Sequence, residues 1–133
     1  MKEVDANKTA WGMLSMGHFE HYKRALQENR HHFSQIIEEE LGDISGKTVM
    51  HLQCNTGADT VLLAQKGAIV TGVDLVPENI FYAKKMAEEL GIENIDFIES
   101  DIMELKEKHH KKYDIWWFWY WNKCRFGFMI FTF

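Results

Sequence analysis

At 133 residues, with 46% hydrophobic residues and a formal charge of −5, the chain has the size and composition of one globular domain with a real core. The acidic balance excludes an electrostatic nucleic-acid binder, which needs clustered Lys and Arg against phosphates, and makes small molecules the expected partners. Cys54 and Cys124 show neither disulfide-framework nor zinc spacing, Met1 to Lys8 lacks the apolar core of a signal peptide, and Asn122, Lys123 and Arg125 interrupt the longest apolar run, so a cytoplasmic protein with no membrane span is expected.

The first 16 residues mix polar positions with Trp11, Met13, Leu14 and Met16, a pattern that reads as a loosely ordered arm. From Gly17 to Leu41 the apolar positions Tyr22, Leu26, Phe33, Ile36, Ile37 and Leu41 follow a mostly helical period, predicting one or two amphipathic helices stopped by Gly42. Val49, Met50 and Leu52 read as a short buried strand. Asp59 to Lys66 reads as a helix stopped by Gly67, and Ala68 to Val73 as a second strand. Pro77 suits the first turn of a helix, where its missing amide hydrogen costs nothing, and that helix runs to Gly91. Ile95 to Ile98 is a third strand, followed by Ser100, Asp101 and Ile102, a charged stretch from Lys106 to Lys112, and a fourth apolar segment from Tyr113. Right-handed crossovers convert this alternation into an α/β fold, a parallel sheet with helices on both faces.

The composition then breaks. Trp116 to Trp121 are six consecutive aromatics, and residues 116–133 hold more aromatic residues than all those before them. Close-packed interiors alternate large with small side chains, so a buried parallel strand is not expected to carry such a run. Tryptophan has the single codon TGG, and a Trp-rich run is what a G- and T-rich stretch yields out of frame. Residues 116–133 are therefore expected to be an aberrant terminus, the alternative being an aromatic surface that docks on a partner or membrane interface. A fourth strand left at the sheet edge with exposed rings predicts a homodimer or aggregation.

Gln53, Asn55 and Gly57 alternate in the turn after the first strand, where short or flexible residues let backbone approach a ligand. Amides at the start of the next helix then point at an anionic group. Asp74, at the end of the second strand, stands where a carboxylate accepts ribose hydroxyls, and Asp101 with Ile102 offers an adenine ring one polar and one apolar contact. Three strand ends thus converge on one nucleoside. The dinucleotide pattern G-x-G-x-x-G is absent, which disfavours a nicotinamide-dependent oxidoreductase.

The successive segments Val-Met-His-Leu-Gln-Cys-Asn-Thr-Gly-Ala-Asp-Thr, Gly-Ala-Ile-Val-Thr-Gly-Val-Asp, Phe-Ile-Glu-Ser-Asp-Ile and Lys-Tyr-Asp-Ile resemble the motifs of the class I S-adenosylmethionine-dependent methyltransferases. They look most like a bacterial subgroup whose first motif reads His-Leu-Gln-Cys instead of Asp-Leu-Gly-Cys-Gly, over about residues 7 to 115. The resemblance implies a Rossmann-like, doubly wound sheet truncated to about four strands in the order 3-2-1-4. It divides the chain into helices and arm (1–46), the cofactor-binding half of a methyltransferase domain (47–115) and an atypical tail (116–133). It also implies S-adenosyl-L-methionine as cofactor, with Gln53, Cys54, Asn55 and Gly57 bordering its methionine part. Asp74 would hold the ribose, Leu75 flank the adenine, and Asp101 and Ile102 bind the adenine edge. His51 replaces an acid that helps hold the methionine ammonium in most of the family. Asn7, Trp11 and His18 resemble a pattern in which the N-terminal segment covers the cofactor.

The implied function is methyl transfer to an acceptor, expected to be a small molecule, by a chain lacking the later part of the fold. A non-catalytic cofactor-binding module and a non-functional fragment remain the alternatives. The pairs His31-His32 and His109-His110, and His18 with His21, lack the recurring Cys, Asp or Glu of a metal site and read as solvated surface; no metal is expected.

Overall fold

The computed structural model describes the backbone of residues 2–122 and 125–132 and most side chains as far as Phe118, so Cys124 lies outside the described residues. In chain order, α1 (Lys2–Gln27) and α2 (Gln35–Leu41) precede β1 (Thr48–Leu52), α3 (Ala58–Gln65), β2 (Ile69–Asp74), α4 (Pro77–Glu89), β3 (Ile95–Glu99), α5 (Ile102–Lys108), β4 (Ile115–Asn122) and β5 (Arg125–Thr132). The sheet order is β3-β2-β1-β4-β5. The first four strands are parallel, as the α/β reading requires, and β5 returns antiparallel along β4. The edge expected to be β4 is therefore covered, and β5 is the outer strand.

The parallel register follows from side chains alternating between two buried faces. Val49, Val70, Ile115 and Trp117 share one face with Phe33, Ile37 and Leu41 of the α2 region and Leu63 and Ala64 of α3. Met50 and Val73 share the other with Leu105 of α5 and Tyr113. Asp114 fixes where β4 starts: its carboxylate accepts from the Thr48 amide at 2.9 Å and the Thr48 hydroxyl at 3.1 Å, while its own amide donates to that hydroxyl at 2.9 Å. At the centre Gly72 lets the Phe97 ring lie across the strand, since a Cβ there would come within 2.8 Å of the ring and 3.1 Å of Cys54 Sγ.

Three features depart from the sequence reading. Residues 2–16 are no loose arm but the first part of α1, which packs on α4 with Phe19 fully buried, 5.2 Å from Tyr82, and Lys23 3.2 Å from Glu89. The pattern concealed this because only Ser15, Phe19 and Ala25 of α1 are buried, while Met13 and Met16 on other sides face solvent. A helix not expected there, α5, runs from Ile102 into the start of the charged stretch; it is capped by Asp101, whose carboxylate accepts from the Met103 amide at 2.9 Å, and anchored by buried Leu105.

The aromatic run is the third departure. Trp117 is fully buried, with its ring 4.8 Å from the imidazole of His51 and 5.1 Å from Phe33, and Trp116 lies on the opposite face, 5.8 Å from Tyr113. The period of two puts Trp116 and Trp117 in different cores, and Ala64 is a small neighbour on the Trp117 side. Beneath Trp117, His51 is 1% exposed; its Nδ1 lies 2.8 Å from Thr60 Oγ1 and its Nε2 has no hydrogen-bond partner among the described residues. Burial lowers its pKa from 6.5 to about 4, opposed by the nearby charge of Asp59, so the ring is neutral at pH 7.

Trp117→Ala is expected to cost about 3–5 kcal/mol in urea unfolding, the range for deleting a buried aromatic; a cost under about 1 kcal/mol would place this ring outside the core. His51 also gives stability a definite pH slope. The ring takes up a proton near 6.5 when unfolded but only near about 4 when folded, so its contribution is complete above pH 6.5 and is lost as pH falls towards 4. That loss amounts to roughly 3 kcal/mol. His51→Gln should flatten the slope between those limits, and an unaltered slope would show that the ring is not buried neutral.

Candidate functional site

The β1–α3 connection owes its shape to three left-handed residues. Gln53, Asn55 and Gly57 have φ of 56°, 53° and 84°, so the alternation seen in the sequence is an alternation of backbone hand. That region costs a non-glycine residue about 1–2 kcal/mol, Asn less than most. The loop is pinned by the Cys54 amide donating to the Val73 carbonyl at 2.9 Å, the Gly57 amide to the Cys54 carbonyl at 3.0 Å, and the Thr56 amide to Asn55 Oδ1 at 2.8 Å. Gly57 itself faces α4: a Cβ would stand 3.1 Å from that of Ala83 and 3.3 Å from the Phe97 ring.

Asp74, at the end of β2, joins this loop to the helices. Its Oδ2 accepts from the Asn55 amide at 2.9 Å; its Oδ1 accepts from the Val76 amide at 2.9 Å and from Asn79 Nδ2 at 3.2 Å. Asn79 in turn accepts the Ser15 hydroxyl at 2.5 Å, tying α1 to the same network. A carboxylate offers about four acceptor positions, so Oδ2 keeps one for a ligand hydroxyl.

Around this network lies a cavity of about 630 Å³, within the usual size range of small-molecule sites. The carboxyl ends of β1, β2 and β3 contribute Gln53, Asn55, Asp74, Leu75, Asp101 and Ile102; α1 contributes Asn7 and Trp11. Asp101 spends Oδ1 on the Met103 amide and has no partner on its other oxygen among the described residues. The remaining expected residues lie behind this lining. Cys54 is 3% exposed, and burial first, then the charge of Asp74, pushes its thiol up, leaving it protonated and inert. Gly57 packs on α4, His51 lies under Trp117, and His18 sits one ring back, 6.0 Å from Trp11 and 6.4 Å from Tyr22.

Lys8, Val76, Asn79 and Met103 complete the wall without having been singled out from the sequence. Asn79 had a readable signal, being a polar residue four positions before Ala83 on the apolar stripe of α4 and 3% exposed. A second cavity of about 350 Å³ adjoins the first, sharing Lys8, Leu75 and Asp101 and adding the acids Asp5, Glu99 and Glu104.

The histidine pairs are less solvated than expected. His31 Nε2 lies 2.8 Å from Asp59 Oδ1 with about a quarter of its side chain exposed, and His109 Nε2 lies 2.6 Å from the Tyr113 hydroxyl. No group of three or more His, Cys, Asp or Glu side chains able to hold a metal occurs among the described residues. No described helix is long and apolar enough to cross a membrane.

Comparison with known proteins identifies relatives among methyltransferases. The chain is 40% identical over 76 residues to an uncharacterized RNA methyltransferase of Caldanaerobacter subterraneus, covering 54% of this chain and 17% of that protein. It is 35% identical over 79 residues to the ubiquinone biosynthesis O-methyltransferase of Klebsiella pneumoniae, covering 59% of this chain and 32% of that one. Among solved structures, the Trypanosoma brucei PRMT1 enzyme–prozyme heterotetrameric complex with AdoHcy aligns with a TM-score of 0.51 at 27% identity, over 59% of this chain and 25% of its own. The chain therefore spans a third or less of the length of the curated relatives it matches. Residues 43–121, from the turn before β1 into the aromatic run, match the family described as a methyltransferase domain, and the chain belongs to that family.

Proposed function

We propose that the chain binds S-adenosyl-L-methionine in the 630 Å³ cavity and takes part in methyl transfer from it. The observation that carries this reading is the convergence of three strand ends on one cavity, with a carboxylate at β2 and another at β3. The donor set fits the cofactor. Asp74 Oδ2 has one acceptor position for a ribose hydroxyl, and the unpartnered oxygen of Asp101 suits the adenine amino group. Leu75, Ile102 and Met103 offer apolar walls to the ring, and Trp11 closes the cavity from α1. The left-handed loop from Gln53 to Gly57 brings backbone close to the methionine part. The bound sulfonium supplies an electrophilic methyl carbon; the chain's part is to align it and exclude water, which is most of what such a displacement needs.

The acceptor we infer is a small, non-polyanionic molecule. Asp74 and Asp101 in the first cavity and Asp5, Glu99 and Glu104 in the second outnumber Lys8, and would repel a phosphate backbone although one relative is named an RNA methyltransferase. The His-Leu-Gln-Cys subgroup and a cytoplasmic location are part of the same reading. So is association of copies along β5, the outer strand, which light scattering would reveal as a dimer and a single monomeric species would refute.

Calorimetric titration with S-adenosylhomocysteine tests the cofactor. Saturable binding is expected, weakened at least tenfold by Asp74→Ala, which removes a hydroxyl acceptor and leaves three donors unpaired. Absence of binding by the unaltered chain would sink the reading. Binding without turnover of S-adenosylmethionine by a panel of small acceptors would favour the non-catalytic module.

A further inference from the structure

Helix α1 gives Asn7, Lys8 and Trp11 to the cavity wall, yet none of its described residues before Ser15 is buried. These three stand eight, seven and four residues before Ser15, spacings that put all four on one side of the helix. The first buried anchor of that side is therefore Ser15.

The anchor is a relay whose direction is forced. The Asp74 carboxylate can only accept, so Asn79 turns its amide nitrogen to Oδ1 at 3.2 Å and is left with a carbonyl oxygen to offer. That oxygen accepts the Ser15 hydroxyl at 2.5 Å and has no other donor among the described residues. Ser15 is fully buried and Asn79 nearly so, which keeps bulk water from competing for either group. The same hydroxyl lies 3.0 Å from the Trp11 carbonyl, but its one proton serves one acceptor at a time. Turned to Asn79 it ties α1 to α4. Turned to Trp11 it makes a bond internal to the helix and leaves the Asn79 oxygen bare.

We propose that Ser15 and Asn79 are positioning residues that seat the α1 wall, Trp11 above all, against a nucleoside held at Asp74. The inference rests on the cofactor reading above. Because the relay ends on the carboxylate assigned to the ribose, the docked wall and the aligned carboxylate belong to one state, and a ligand touching both stabilises that state. Ser15 acts from outside the cavity, which it does not line.

A double-mutant cycle read by calorimetric titration with S-adenosylhomocysteine separates positioning from simple support. Ser15→Ala keeps the helix and nearly all the side-chain volume, and should weaken binding about fivefold, the scale of one hydrogen bond. Trp11→Ala should weaken it about tenfold, and adding Ser15→Ala to that variant should cost less than twofold more, because the wall that Ser15 seats is already gone. Ser15→Cys, which keeps a weaker donor in the same place, should show the same dependence on Trp11 at smaller size. In the ligand-free chain, Ser15→Ala should speed amide hydrogen exchange in residues 2–14 and leave residues 19–27 unchanged. No loss of affinity in Ser15→Ala, a full fivefold loss in the Trp11→Ala background, or faster exchange along the whole of α1 would overturn the proposal. Failure of the unaltered chain to bind would instead overturn the cofactor reading and this inference with it.

Discussion

The carboxylate of Asp74 is the constraint on which the site depends. Its two oxygens hold the amide of Asn55 from the β1 loop, the amide of Val76 at the entry to α4, and the side chain of Asn79, which reaches α1 through Ser15. The β1 loop, the start of α4 and, through Asn79, helix α1 are thus referred to one buried anion, and each donor would be an unpaired polar group without it. A residue read from the sequence as a ligand contact is also an internal junction. A ligand hydroxyl at Oδ2 would add to that network without displacing any of it.

The junction also explains how the β1 loop tolerates its backbone. Gln53 and Asn55 hold a hand of backbone that glycine adopts freely, and each pays with local strain. The neighbouring bonds over-determine the geometry: the Asn55 amide is fixed by Asp74, its side chain by the Thr56 amide, and the Cys54 amide by Val73. The glycine-poor motif therefore reaches the shape of a glycine-rich one through hydrogen bonds, and it presents two side chains to the cavity where glycines present none.

Elements that repeat a period on a buried face were legible, and those with one wet side were not. The short apolar strands, the helix beginning at Pro77 and the carboxylates ending β2 and β3 all followed from pattern, because parallel strands must be apolar on both faces and ligands gather at their carboxyl ends. The start of α1 is not legible because its apolar residues are scattered around the helix, nor is α5, whose buried anchor among the described residues, Leu105, stands among charges. Trp117 escaped because space for an indole is created by residues remote in sequence, with His51 as its base and Phe33 at its edge. Ser15 and Asn79 look like surface polar residues until the fold brings them together.

Helix α1 is held unevenly, and this bears on how a ligand could enter. Its buried residues begin at Ser15, whereas Trp11, which lines the cavity, lies one turn before that anchor among exposed neighbours. Backbone secured only by its own helical bonds opens at far lower free energy than backbone packed in a core. Fraying of the turns that precede Ser15 would lift Trp11 away while the sheet, the Asp74 junction and the β1 loop stayed intact. Entry to the cavity is then governed by the opening rate of a few helical turns, and occupation of the cavity would slow amide hydrogen exchange in those turns before any other part of the molecule.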